Sequence, residues 1–296
     1  TITAIARPTQ AQPTNPAAPV CLFSTFKEGE QDGLRYAFSY DGYNWSNIPG
    51  VFLKPHMDGK IMRDPSITRG PDGTWHLVWT SAWKGNNGFG YSHSKDLVHW
   101  SEQQFVPVMA HEPTVCNVWA PELFYDEKEK HFIICWASTI PGRFPDYLEP
   151  STNNHRMYFT TTRDFQTFTP TKLFLDPDFS LIDCQILKDA DRYVLLLKDN
   201  TRPQRNIRVG FGDTPLGPWR DISTNLTANF TEGPCSLKIG EDWLIYHESY
   251  EEKRYSALKT RDFKSFTNVT SEMTFPPELK HGTAFVATKK DLDYLW

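Results

Sequence analysis

Ser94-Lys95-Asp96-Leu97-Val98-His99-Trp100 reads as a tight turn in which the Asp carboxylate can bond backbone N–H groups and an aromatic opens the next strand four residues later. The same pair recurs as Asp41 with Trp45, Asp164 with Phe168, Asp262 with Phe266 and, at a spacing of six, Asp213 with Trp219. Self-similarity at a period of roughly 50 residues marks stacked blades, and five copies predict an all-β, five-bladed β-propeller. The default role of each Asp is to cap its turn, and that of each aromatic is to anchor the next strand to the core.

Around each turn the pattern repeats. Strand-like runs precede the turns at residues 34–40, 89–94, 156–161, 207–211 and 254–258. More apolar runs come before them at 20–26, 75–81, 131–137, 192–197 and 243–247. Earlier still come short segments opening with polar or Pro-containing groups: Asp64-Pro65-Ser66-Ile67, Ala120-Pro121-Glu122-Leu123, Asp183-Cys184-Gln185-Ile186, Glu232-Gly233-Pro234-Cys235 and His281-Gly282-Thr283-Ala284. These are expected to be the innermost strands. The first copy lacks one and the segment 281–288 has nothing after it, so strands from the two ends of the chain should share a blade, closing the ring and removing its exposed edges.

The composition agrees with packed sheets. Phe, Tyr and Trp total 42 residues against five Met. With a net charge of -5 and its Lys and Arg scattered, the chain lacks the basic face of a nucleic-acid binder. No apolar run reaches the length of a membrane span, so no membrane association is expected. Residues 1–19, rich in Thr, Ala, Gln and Pro, read as a flexible leader of the kind that follows a cleaved signal, so the protein is expected to be secreted or periplasmic; residues 20–296 read as one catalytic domain. The five cysteines have no metal-binding or paired spacing and read as small buried hydrophobes.

In a propeller the innermost strands surround the axis, so Asp64, Asp183 and Glu232 should converge on one funnel although they are far apart in sequence. Three carboxylates so close cannot all ionise cheaply, and their pKa values spread. Glycosidic bond cleavage uses such a set, with one carboxyl group protonated to serve the leaving oxygen and another ionised to act on water or carbon. A single Asp before Pro is more often a turn cap, but acids at three of five opening positions exceed what turn chemistry requires.

These segments resemble glycoside hydrolase family 43. Met62-Arg63-Asp64-Pro65-Ser66-Ile67 looks like its general-base strand, Asn117-Val118-Trp119-Ala120-Pro121-Glu122 like its second-blade signature, Ile182-Asp183 like its pKa-modulating segment, and Thr231-Glu232-Gly233-Pro234 like its general-acid strand. Glu122 departs from the Asp more often found there. The resemblance, over residues 20–290, implies Asp64 as base, Asp183 as modulator and Glu232 as acid, with inversion at the anomeric carbon. It also implies that His281 holds a structural calcium ion through water. No cofactor is otherwise expected.

Aromatic faces and polar groups that could bind sugar are supplied by Arg63, Trp83, Trp119, Phe144, His155, Arg205, His247 and Tyr250. The expected substrate is an oligo- or polysaccharide of plant type, with α-L-arabinofuranose the first choice of released sugar and xylose- or galactan-directed hydrolysis the alternatives. A phosphorylase would need a cationic pocket, for which Arg202 and Arg205 are the clustered candidates. A non-catalytic sugar-binding propeller is the alternative from another class, and the full set of acids argues against it.

Overall fold

The computed structural model describes residues 13–57, 59–145, 149–150 and 152–296. Its strands follow the chain as β1 (Pro19–Thr25), β2 (Leu34–Ser39), β3 (Ser46–Leu53), β4 (Arg63–Arg69), β5 (Trp75–Thr80), β6 (Phe89–Ser94) and β7 (Gln104–Val106). They continue as β8 (Trp119–Asp126), β9 (His131–Ser138), β10 (Arg156–Thr162), β11 (Lys172–Leu175), β12 (Leu181–Asp189), β13 (Arg192–Asp199) and β14 (Asn206–Gly212). The last are β15 (Thr231–Ile239), β16 (Asp242–Ser249), β17 (Arg254–Thr260), β18 (Thr267–Asn268) and β19 (Ala284–Thr288), followed by a short helix α1 (Lys289–Tyr294).

Five antiparallel sheets result, in the orders β19-β1-β2-β3, β4-β5-β6-β7, β8-β9-β10-β11, β12-β13-β14 and β15-β16-β17-β18. They are called blades I to V. The inner strands touch in ring order, β4 against β8, β8 against β12, β12 against β15 and β15 against β19, so the chain is a five-bladed β-propeller. The ring closes as the two incomplete copies require: β1 pairs β19 with Pro19 opposite Thr288 and Phe23 opposite Ala284. His281 lies ahead of this strand, free of the ladder. Thr288 ends it by capping α1, its side chain and that of Asp291 bonding each other's backbone N–H in a capping box.

Of the expected leader, residues 1–12 lie outside the described residues. Pro16 and Ala18 accept hydrogen bonds from the backbone N–H groups of Lys290 and Lys289. Four of the five cysteines are buried.

Four of the repeated turns are built as their sequence suggests. Asp41, Asp96, Asp164 and Asp262 each accept two backbone N–H groups with one carboxylate oxygen, at 2.8–3.0 Å. The fourth copy differs: Asp213 binds the Arg220 guanidinium instead, because its longer turn carries the next strand away from the carboxylate. The anchoring meets expectation in the first copy, where Trp45 is buried in the core, and differs in three others. Leu97, Phe165 and Phe263, directly after the Asp, are fully buried with φ of 54–65°, while Trp100, Phe168 and Phe266 are only partly buried. Burial of these side chains in the inter-blade core offsets the cost of left-handed backbone at non-glycine residues.

The apolar faces of neighbouring blades pack into one another. At the closure, Phe23 on β1 meets Trp45 of its own blade and Tyr255 of blade V, both edge-on with ring centres 5.6 Å apart. Removing that fully buried ring by Phe23→Ala is expected to lower the unfolding free energy by about 3–5 kcal/mol. Urea denaturation followed by tryptophan fluorescence measures it.

Candidate active site

Each of the four inner strands β4, β8, β12 and β15 skips a residue in its ladder. The register jumps between Arg63 and Ser66, Trp119 and Glu122, Ile182 and Gln185, and Glu232 and Cys235. At each bulge one residue takes left-handed backbone: Asp64 (φ 50°), Ala120 (46°), Asp183 (53°) and Gly233 (58°). Asp tolerates this region better than most residues, and a bulge re-aims the side chain out of the pleat. Asp64 and Asp183 are therefore true equivalents. Glu232 is not, contrary to the expectation that all three share one position: it lies one residue earlier, at the site of Arg63, Trp119 and Ile182. Its longer side chain reaches the same space. Gly233 occupies the bulge because a Cβ there would come within 2.7 Å of the His281 ring.

Asp64, Ala120, Asp183 and Glu232 line a cavity of about 260 Å³ at the start of the inner strands, together with Arg63, Trp83, Trp119, Lys198, Asn200, Arg205, Tyr250 and His281. Asp64 Oδ2 accepts the Thr80 hydroxyl at 2.8 Å, and its Oδ1 stands 3.3 Å from His281 Nδ1. Asp183 Oδ2 accepts the Gly233 N–H at 3.1 Å, with Oδ1 3.9 Å from the same imidazole nitrogen. Glu232 Oε2 receives Lys198 Nζ at 2.8 Å, and this ammonium is 3% exposed.

Charge is divided unevenly over the set. Burial pushes Asp64 up, but the His281 hydrogen bond and charge, Arg63 and Thr80 outweigh it and hold the carboxyl below its ordinary value. For Asp183, burial together with the charges of Glu232 and Asp64 prevails over His281 and Lys198, and the pKa is raised. For Glu232, burial is overcome by the charge and hydrogen bond of Lys198 and by His281, and the pKa is lowered. His281 loses stability as a cation through burial but gains more from Asp183, Asp64 and Glu232, which lift it to about 9.

The aromatic wall is formed by Trp83 and Trp119, set edge-on with ring centres 5.5 Å apart, the Trp119 indole N–H donating to the Trp83 carbonyl. Trp83 is 46% exposed, and the Arg63 guanidinium rests 4.1 Å from its ring centre while pairing with Glu28. Arg205 and Tyr250 face the cavity from the blade IV and V side, and Arg205 Nε finds no hydrogen-bond partner among the described residues.

Three residues chosen from the sequence as sugar contacts do not line this cavity. His155 is fully buried and stacks under Trp119 at 4.9 Å, so it backs the wall. Phe144 packs on the Arg156 guanidinium. His247 points into the blade V interior, opposite Ser256, and burial pushes its pKa down to about 4. Arg202, half of the cationic pair a phosphorylase would need, binds the buried Glu149. Lys198, Thr80 and Asn200 were not singled out from the sequence.

His281, on which the family resemblance places a water-held calcium ion, turns its Nδ1 to Asp64 and Asp183, and among the described residues no group of three or more His, Cys, Asp or Glu is placed to ligate a metal directly. Glu122, further along β8, accepts the Thr283 hydroxyl with its carboxylate and is pushed up to about 7 by burial.

A propeller whose axial cavity gathers three acids, a buried ammonium and a tryptophan wall has the makings of a carbohydrate-cleaving enzyme. A family model described as "Probable glycosyl hydrolase domain", related to glycoside hydrolase family 43, matches residues 19–293, and the chain belongs to that family of glycoside hydrolases. Among solved structures, an α-L-arabinanase from Cellvibrio cellulosa complexed with arabinohexaose is similar at TM-score 0.61 and 14% identity, over 91% of this chain and 96% of that one. An α-L-arabinofuranosidase from Lactobacillus brevis matches at TM-score 0.51 and 17% identity, over 71% and 72% of the two chains. A family 117 glycoside hydrolase from Zobellia galactanivorans matches at TM-score 0.54 and 13% identity, over 70% and 68%. No curated protein matches the sequence.

Since the folded pKa of His281, about 9, exceeds the ordinary 6.5, its ion pairs stabilise the fold fully below pH 6.5 and cease to do so as the pH rises through 9. The melting temperature of the wild type should therefore fall more steeply between pH 7 and 10 than that of His281→Asn. Scanning calorimetry across that range checks it.

Proposed function

We propose that this glycoside hydrolase is exo-acting and inverting, releasing α-L-arabinofuranose from plant-type oligo- or polysaccharides. The observation that carries the reading is the convergence of Asp64, Asp183 and Glu232 on one small cavity beside Trp83 and Trp119. The volume suits a single sugar unit. The indole wall at its edge offers an apolar face for a neighbouring sugar ring. Similarity of fold to an arabinanase and an arabinofuranosidase supports the choice of sugar.

Asp64, held ionised, takes a proton from water as the water oxygen bonds to the anomeric carbon. The fraction of Glu232 that carries a proton, kept small by Lys198, gives it to the glycosidic oxygen as the carbon–oxygen bond breaks, leaving the sugar with inverted configuration and the aglycone as an alcohol. Asp183, through Gly233 and its own charge, positions and tunes Glu232. Asp64 and Glu232 stand on blades II and V, which are not neighbours, and both line the cavity; this favours a gap wide enough for the attacking water that inversion requires.

Asp64→Asn is expected to lower kcat by about 10²–10⁴-fold on every substrate, and Glu232→Gln to do so on sugar or alkyl leaving groups but far less on activated aryl glycosides. A panel of aryl arabinosides, xylosides and galactosides, with matching oligosaccharides, measures both effects and identifies the sugar. NMR of the anomeric proton in fresh product should show inversion; release with retained configuration would make Asp64 a nucleophile.

A further inference from the structure

We propose that Lys198 is a positioning residue for the leaving-group proton: its ammonium fixes the Glu232 carboxyl group and stabilises the negative charge left there as the proton departs. The inference rests on Glu232 being the acid, as read above.

The repeated geometry of the bulges sets Lys198 apart. Opposite the last paired residue before each bulge stands one residue of the second strand: Thr80 opposite Arg63, Ala137 opposite Trp119, Lys198 opposite Ile182 and Glu248 opposite Glu232. Two of these four hold a carboxylate at the cavity. Thr80 holds Asp64 with a neutral hydroxyl, and Lys198 reaches from blade IV to hold Glu232 of blade V with a full charge. A neutral donor at this position suffices for Asp64, whose resting charge is already offset by His281 and is lost as it takes the proton from water. An ammonium at the same position is useful where negative charge develops during the reaction, because it favours the transition state over the protonated ground state.

Lys198 is buried and lies 5.2 Å from the Tyr250 ring centre, so its ammonium meets little water. The proton itself comes from Glu232, and Lys198 stays protonated throughout. The ammonium makes Glu232 a stronger acid while reducing the share of enzyme that carries the proton as the pH rises. The other charges facing Glu232 are Asp64 across the cavity, Asp183, which holds the adjacent Gly233 N–H, Arg63, His281, the Glu248–Lys280 pair and Arg205 on the cavity wall.

Lys198→Met removes the charge, and Lys198→Gln removes it while keeping a donor. In both, the pH at which kcat/KM falls on the alkaline side should rise by about 1–3 units. The plateau kcat should drop on oligosaccharides and change little on activated aryl glycosides. Lys198→Arg should keep the wild-type limb. A ¹³C titration of the Glu232 carboxyl carbon in ligand-free protein should show the same upward movement without any turnover. If the methionine variant does not fold, the glutamine variant gives the result. Folded variants whose carboxyl titration and alkaline limb stay in place would overturn the proposal. Wild-type protein inert on every glycoside would instead overturn the hydrolase reading, while the titration would still decide the Lys198–Glu232 coupling.

Discussion

The bulge near the start of each of four inner strands is the constraint on which the site depends. An unbroken ladder would alternate side chains between the two faces of a blade, and none would aim squarely along the axis. Skipping one residue in left-handed backbone turns Asp64 and Asp183 toward the axial cavity, where they meet the His281 imidazole. The same bulge opens a backbone N–H, that of Gly233, which Asp183 takes up. Acid residues are tolerated here because a carboxylate that finds a cation or a fixed donor offsets both the strain and the desolvation.

The cavity is accordingly a place where opposite charges are interleaved rather than separated. His281 is shared between two aspartates, Lys198 serves Glu232, and Arg63 leans on Glu28 and Trp83. Each cation is fixed by a different blade, so the electrostatics of the site are a property of the closed ring and of no single sheet. The spread of carboxyl pKa values, Asp64 and Glu232 down and Asp183 up, follows from whether burial and like charge are outweighed: His281 and Arg63 do so at Asp64, Lys198 and His281 at Glu232, but His281 and Lys198 do not at Asp183.

Much of this was legible in the sequence, for identifiable reasons. The Asp turns and the three acids occupy chain positions that repeat, and repetition survives without coordinates. What escaped depended on register. The apolar run read as a strand stops at Leu197, whereas β13 continues to Asp199 and carries Lys198 to the cavity edge. The offset of Glu232 by one residue shows only in the ladder pairing. His155 and His247 stand near strand ends, where cavity residues gather, but each faces the packed interior. The outer strands β3, β7, β11 and β18 were foretold only by the aromatic that follows each turn, since their own residues carry little apolar pattern.

The pairing of β1 with β19 also bears on how the protein is made. Blades II to V are each assembled from neighbouring stretches of chain and can form as those stretches leave the ribosome. Blade I cannot: Phe23 waits for Ala284, some of the longest-range contacts in the molecule, and loop-closure entropy makes such contacts slow to form. Until then the β1 edge stands open, and blade V lacks its neighbour on the far side. During synthesis the nascent chain thus passes through a stage with four blades in place and one strand edge unpaired, when it is most in need of shelter from other chains.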